Sequence, residues 1–227
     1  MTLAIIPARA GSKRIPGKNV RLFAERPMID YAITRANESG LFDQVVVSTD
    51  DECIAEIARD LGANVPFKRP PELSDDHATT VNVIAHGILE CQKQGWDARE
   101  VCCIYPAVPF LESGDLVGAY ELLQNGTADY VFPVARFPSP PQRALRMTPH
   151  GNLFPLQPEN VETRTQDLEE SYYDSGQFYW GKKTAWLQKK SIHANAAGYV
   201  LPSWRVIDID TPEDWEKAEK ILASLNR

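Results

Sequence analysis

The chain is poor in the groups that staple a protein or anchor it to a membrane. It carries four cysteines and four histidines in 227 residues. Cys53, Cys91, Cys102 and Cys103 form no C-x-x-C pair, and the adjacent two lie in an apolar stretch. A disulfide framework and a zinc site are therefore disfavoured, and buried thiols in a reducing compartment are expected. No stretch approaches the ~20 apolar residues of a membrane span. The opening MTLAIIPARAGSKR meets Arg9 after too short a run for a secretory leader. A soluble, cytoplasmic protein with no membrane partner is the expectation. Positive charge is also in deficit, 24 Lys+Arg against 31 Asp+Glu, for a net charge of −7. That balance argues against nucleic acid as a partner. Also missing are the phosphate-binding G-x-x-x-x-G-K-[ST], the dinucleotide G-x-G-x-x-G and the nucleophile elbow G-x-S-x-G. His77, His86, His150 and His193 have no metal-ligand spacing.

What is present is an ordinary globular composition, 43% hydrophobic and 24% charged, long enough to bury a core unaided. We read residues 1–227 as one domain. Short β-rich runs alternate with helical periods. Leu3–Pro7, Val45–Thr49, Val101–Tyr105 and Tyr130–Ala135 read as strands, with a short strand near Val65. Helices are predicted after Pro27, around Ile54–Leu61, over Thr79–Gln94 and Ser113–Gln124, and near Trp186. A last strand is predicted at Arg205–Ile209, then a closing helix with Thr211 as N-cap, Pro212 first and Asp214 third. Strand–helix alternation implies an α/β fold with a mostly parallel, right-handed sheet covered on both faces. Between Phe137 and Tyr173 the rhythm breaks in a stretch with six prolines. We read residues 137–173 as an inserted arm that packs its apolar residues on a second subunit.

In such sheets, ligands sit beyond the carboxyl ends of the strands. After the first strand comes ARAGSKRIPGKN, with Arg9, Lys13, Arg14 and Lys18, then Arg21 just beyond. Gly11 and Gly17 permit close backbone approach and Ser12 adds a hydroxyl. Amide donors and lysines in one loop suit a polyphosphate, against the plain alternative of a solvated basic turn. In KRPPELSDD, Arg69 is either an anion or base contact or part of a proline-stiffened surface turn. Thr79 is expected to cap the next helix, and Thr80 either contacts a ligand or joins that cap. Asp208 and Asp210, two apart on extended chain, place both carboxylates on one face. Two hard oxygens beside a polyphosphate loop suit Mg²⁺; the alternative is that Asp210 begins a helix cap and Asp208 is ion-paired. Gln177 and Tyr179, in the aromatic stretch YYDSGQFYWG, are core by default yet can reach a hydroxylated ligand from the sheet end.

On these residues the chain resembles the nucleotide-sugar cytidylyltransferases that activate nonulosonic acids with CTP. The carriers are IPARAGSKRIPGKN (Ile6 to Asn19), VSTDD (Val47 to Asp51), RPPEL with Asp76 downstream, and IDIDTPED (Ile207 to Asp214). The resemblance implies a Rossmann-like nucleotide-diphosphosugar transferase fold, Mg²⁺ dependence and a homodimer. It implies that Arg9, Ser12, Lys13 and Asn19, with Ala8, Gly11 and Lys18 alongside, bind the nucleotide, joined by Arg69 and Thr80. Asp208 and Asp210 would hold the metal, and Arg9 and Lys13 would act with them in catalysis. Arg143, Arg164, Gln177 and Tyr179 would lie near the nine-carbon sugar acid. Tyr105 in IYPAVPF stands where sialate enzymes have Gln, which, with DSGQFYWG, points to the pseudaminic acid branch. The expected reaction is transfer of CMP from CTP to the sugar acid with loss of pyrophosphate. The alternatives are an N-acylneuraminate or 3-deoxy-octulosonate cytidylyltransferase, a glycosyltransferase using Asp208-x-Asp210, and a non-catalytic nucleotide-binding module.

Overall fold

The computed structural model describes residues 1–225. In chain order its elements are β1 (Thr2–Pro7), β2 (Leu22–Phe23), β3 (Arg26–Pro27), α1 (Met28–Glu38), β4 (Gln44–Ser48) and α2 (Glu52–Asp60). There follow α3 (Thr80–Lys93), β5 (Glu100–Ile104), α4 (Ser113–Asn125), β6 (Tyr130–Arg136), β7 (Leu145–Met147) and β8 (Leu153–Pro155). The chain closes with β9 (Tyr172–Asp174), β10 (Phe178–Lys182), α5 (Lys183–Leu187), β11 (Ala196–Val200) and α6 (Pro212–Leu225).

One seven-stranded sheet organises the molecule, in the order β11-β6-β10-β5-β1-β4, with β9 also paired to β6. Strand β1 is parallel to both β4 and β5, and β11 is parallel to β6. Strand β10 runs antiparallel between β5 and β6, and β9 runs antiparallel to β6. The sheet is therefore mostly parallel, with one reversed strand wedged into its middle.

The side-chain alternation of β1 shows why this strand sits at the centre. Ala4 and Ile6 enter a cluster with Ile29, Ala32 and Ile33 of α1, Ile54 and Ala58 of α2, and Leu116 and Ala119 of α4. Leu3 and Ile5 enter a second cluster, on the other face, with Ile84 and Ile88 of α3 and Ala185 and Trp186 of α5. Period-two alternation thus sends successive residues of one strand into two cores, and the run contains no polar position. Helix α3 approaches closely at Gly87, where an added Cβ would stand 3.1 Å from Ile5 Cδ1.

A third cluster positions the site. Ile15 from the basic loop and Ile209 from the Asp208–Asp210 segment are both buried with Phe23, Met28, Tyr31, Phe110, Trp215 and Ala218. Each fully buried side chain of this kind contributes roughly 1.5–3 kcal/mol. Residues 194 positions apart in sequence (15 and 209) are thereby fixed on either side of one cleft.

Two local expectations are corrected. The strand predicted at Arg205–Ile209 is a 3₁₀ turn at Ser203–Arg205 followed by irregular chain. The place beside β6 is taken by Ala196–Val200 instead, paired over five residues. Near Val65 there is only an isolated bridge between Asn64 and Val46. The caps behave as read: Thr79 accepts from Asn82 N at 3.3 Å, and Thr211 and Asp214 form a reciprocal box. The arm leaves the sheet after β6 and carries the β7–β8 hairpin, and its closing residues 172–173 already lie in β9.

Candidate active site

Beyond the carboxyl end of β1 the chain enters the basic loop. Ala8 is buried, and its N–H donates to Ser48 O at 2.9 Å, so the loop starts from a fixed point. Asn19 closes it: its Nδ2 donates to Arg9 O at 3.0 Å while its own carbonyl accepts from Ile29 N at 2.8 Å. Gly17 lies at φ +64°, the left-handed region that favours glycine, and its carbonyl accepts from both Val20 N and Arg21 N. Between these anchors Arg9, Gly11, Ser12, Lys13, Arg14 and Lys18 line a cavity of about 380 Å³.

A second cavity of about 470 Å³ shares Arg9, Arg14, Lys18, Asp76 and Asp210 with the first and adds Arg69, Thr80, Tyr105 and Asp208. The two form one cleft along the ends of β1, β4 and β5. The basic loop, Arg69, Thr80, Tyr105 and both aspartates, read separately from the sequence, all meet here.

Every cation of the loop faces a carboxylate. Asp76 pairs with Arg9 at 2.8 Å and with Lys13. The two partners hold its carboxyl below the usual carboxylate range, Lys13 contributing most. Asp210 pairs with Arg14 at 2.8 Å and with Lys18 at 3.5 Å, and Lys18 also donates to Ile209 O at 2.8 Å. Asp208 makes no ion pair among the described residues. Desolvation by the walls of the cleft, then the nearby Asp210 charge, raises its pKa above the ordinary aspartate value. Two carboxylates on one wall, one of them uncompensated, form a donor set that fits a hard divalent cation. Such a cation keeps water and shares phosphate oxygens rather than needing an all-protein cage. No cluster of three or more His, Cys, Asp or Glu suited to a metal occurs among the described residues, so these two would be the main protein ligands.

Arg69 is the most confined charge of the cleft, its side chain 3% exposed. Its Nε donates to Ser74 Oγ at 3.2 Å, but Nη2 has no hydrogen-bond partner and lies 3.6 Å from Asp50 Oδ1. Burial lowers its pKa. The guanidinium, held against Asp50 and Ser74, sets a fixed positive charge in the wall of the cleft. Asp50 also accepts from Ala10 N at 3.3 Å, so it ties the basic loop to Arg69, while Asp51 caps α2. The two aspartates of the VSTDD motif thus do different jobs. The distinguishing signal was place: Asp50 follows directly on a strand end.

Tyr105 stands on the far wall. Its hydroxyl lies 2.6 Å from Thr80 Oγ1, and burial pushes its pKa up to about 12, so it stays neutral at working pH. Its ring meets Tyr179 edge-on, with centroids 5.7 Å apart. Tyr179 itself is buried and donates its hydroxyl to Asp174 Oδ2 at 3.0 Å. Gln177 is also buried, its Nε2 donating to Arg205 O at 2.8 Å. These two therefore support the wall from behind. Arg143 and Arg164 are not brought to the cleft: both are exposed in the arm, Arg143 donating to Thr163 O and Arg164 pairing with Asp167 at 2.8 Å.

The sequence matches the family model described as cytidylyltransferase over residues 3–223. It is 41% identical over 225 residues to a pseudaminic acid cytidylyltransferase of Campylobacter jejuni, covering 99% of this chain and 97% of that one. It is 32% identical to the CMP-N,N'-diacetyllegionaminic acid synthase of Legionella pneumophila, covering 97% and 95% of the two chains. Among solved structures, a CMP:2-keto-3-deoxy-manno-octonic acid synthetase complexed with CTP superposes with a TM-score of 0.71 at 15% identity, covering 99% of both chains. At that identity the likeness concerns the fold.

Proposed function

The chain belongs to the cytidylyltransferase family, and from that premise we propose that it transfers CMP from CTP to pseudaminic acid, releasing pyrophosphate. The observation that carries the reading is the meeting, across one cleft, of the Arg9–Asn19 loop with Arg69 on one side and Asp208 and Asp210 on the other. A nucleoside triphosphate needs that pairing of cations with a metal site, and a neutral sugar alone does not.

In the proposed reaction the anomeric hydroxyl of the sugar acid attacks the α-phosphorus of CTP. The bond from that phosphorus to the bridging oxygen breaks, the electron pair stays with pyrophosphate, and the hydroxyl proton is released to solvent. Arg9, Ser12, Lys13 and Lys18 bind and orient the triphosphate and neutralise the charge that builds on its oxygens. Arg69, which lines the cleft with Thr80, adds a fixed positive charge on the nucleotide side. Asp208 and Asp210 would hold Mg²⁺, which when bound supplies charge neutralisation and lowers the pKa of an oxygen it ligates. Tyr105 presents an aromatic face with one hydroxyl where an amide would offer a donor and an acceptor. That suits a sugar acid with fewer hydroxyls and more acyl surface.

We place the enzyme in the cytoplasm as a homodimer joined through the arm, whose Leu145, Met147, Leu153, Phe154 and Leu156 are all exposed in the single chain. The test is pyrophosphate release from CTP and Mg²⁺ with pseudaminic, N-acetylneuraminic and 3-deoxy-octulosonic acids in parallel. The highest kcat/KM is expected for pseudaminic acid. Preference for either of the others would change the sugar while keeping the chemistry. CTP binding without pyrophosphate release would remove the chemistry itself.

A further inference from the structure

The segment carrying Asp208 and Asp210 has little hydrogen bonding of its own. It belongs to no strand or helix, and among the described residues the N–H groups of Ile207, Asp208 and Ile209 donate to no backbone carbonyl. Its position must come from its anchors. From Ile209 onward these are its buried side chain, Lys18 donating to Ile209 O, the Arg14 and Lys18 pairs on Asp210, and the Thr211–Asp214 cap. Before Asp208, Ile207 packs against the third cluster and the polar anchor is Arg205.

Arg205 is 8% exposed and Asp115 3%. The guanidinium forks onto the Asp115 carboxylate, Nη1 to Oδ2 at 2.7 Å and Nη2 to Oδ1 at 2.9 Å, and Nη1 also meets Glu112 Oε2 at 3.1 Å. Asp115 is itself fixed in the first turn of α4, where its carboxylate accepts from Glu112 N at 3.1 Å. The carbonyl of Arg205 accepts from Gln177 Nε2 at 2.8 Å, and the carbonyl of Gln177 accepts from Tyr105 N at 2.9 Å. A fork held at both ends sets position and rotation together. A buried ion pair is also seldom better for stability than two apolar side chains of the same size. Stability alone therefore does not account for this one; geometry does.

We infer that Arg205 is a positioning residue: its buried fork on Asp115, joined through Gln177 to Tyr105, holds the Asp208–Asp210 segment at the distance from the opposite wall that metal and nucleotide require. This rests on the metal role proposed above for the two aspartates.

Three variants test it: R205K, which keeps the charge and loses the fork; D115N, which keeps the helix cap and leaves Arg205 only the exposed Glu112 carboxylate; and R205M/D115L, which replaces the buried pair by apolar volume. Each is checked for folding by circular dichroism and then titrated with Mn²⁺ in the presence of CTP, with binding read by electron paramagnetic resonance. In parallel, pyrophosphate release is followed against Mg²⁺. For every variant that folds, the expected result is Mn²⁺ binding at least fivefold weaker than wild type. The Mg²⁺ half-saturation should rise in step, while KM for CTP at saturating Mg²⁺ changes less than threefold. R205M/D115L is expected to melt near the wild-type temperature and still bind Mn²⁺ poorly. A folded variant that binds Mn²⁺ within fivefold of wild type overturns the inference, as does the failure of all three to fold. Wild-type protein that binds no Mn²⁺ with CTP present removes the metal reading, and this inference with it. Normal wild-type binding beside an unaffected variant removes this inference alone.

Discussion

The carboxylate of Asp76 lies between Arg9 and Lys13, 2.8 Å from the Arg9 guanidinium and within hydrogen-bond reach of the Lys13 ammonium. Both cations line the cleft assigned to the triphosphate, so without nucleotide an internal anion holds the groups a phosphate needs. The pairs are solvent-exposed and each is weak. Asp76→Asn should therefore lower KM for CTP, by roughly twofold to fivefold, and tighten product inhibition by pyrophosphate. Initial rates at varied CTP decide it; an unchanged or raised KM would count against competition.

Asp208→Asn and Asp210→Asn remove one formal charge each while keeping side-chain size. Each is expected to cut turnover by roughly a hundredfold or more with an unchanged circular dichroism spectrum. The two should differ in one respect. Asp210 neutralises Arg14 and Lys18, whereas Asp208 has no such partner. Only Asp210→Asn should therefore alter the salt dependence of CTP binding.

Tyr105→Phe deletes the hydroxyl that meets Thr80 at 2.6 Å and leaves the ring in place. The net worth of such a bond is ~1 kcal/mol, so kcat/KM for the sugar acid should fall by about fivefold to tenfold. KM for CTP should move less. A loss confined to CTP would shift Tyr105 from the sugar side to the nucleotide side.

The four thiols differ in reactivity. Cys53 is exposed, whereas Cys91, Cys102 and Cys103 are buried. Burial pushes the Cys91 thiol up to about 12 and raises the Cys102 and Cys103 thiols as well. The thiolate is the reactive form. Native protein treated with iodoacetamide at pH 8 should gain one adduct, at Cys53, and urea-unfolded protein four. Peptide mass spectrometry locates them.

The β7–β8 hairpin exposes Leu145, Met147 and Leu153 together, each more than half accessible. Light scattering at micromolar concentration should give the mass of a dimer. Met147→Asp combined with Leu153→Asp should give a monomer that melts at a lower temperature. A monomeric wild-type mass would dispose of the arm as an interface.

Much of this was legible in the sequence because strand ends and helix caps are local signals. The unbroken apolar run of β1 marked a strand buried on both faces, and the Arg9–Asn19 loop declared itself by its cations. What stayed hidden was long-range. The Val206–Ile209 run has the β-branched residues of a strand, but the sheet position it would need is filled by Ala196–Val200, whose Ala-Ala-Gly start has weak strand propensity. The reversal of β10 leaves no trace in hydrophobicity, since a buried strand reads alike in either direction. Arg205 gave no signal either, because a fork between positions 90 apart is invisible to spacing. Gln177 and Tyr179 were visible as residues and not as supports, since their partners, Arg205 and Asp174, could be known only from the fold.

The pairing of β9 with β6 brings Arg136 opposite Tyr172, and Phe137 N donates to Ser171 O at 3.0 Å. The arm thus departs and returns through a closed neck, like a loop drawn shut by its own drawstring. Whatever lies beyond the neck can change in length or sequence at little entropic cost to the sheet, because the closure is already made by strand pairing. An ancestor could gain, lose or exchange such a cassette in one step while the strands that carry the cleft kept their pairing. The arm and the cleft could then have changed on separate clocks.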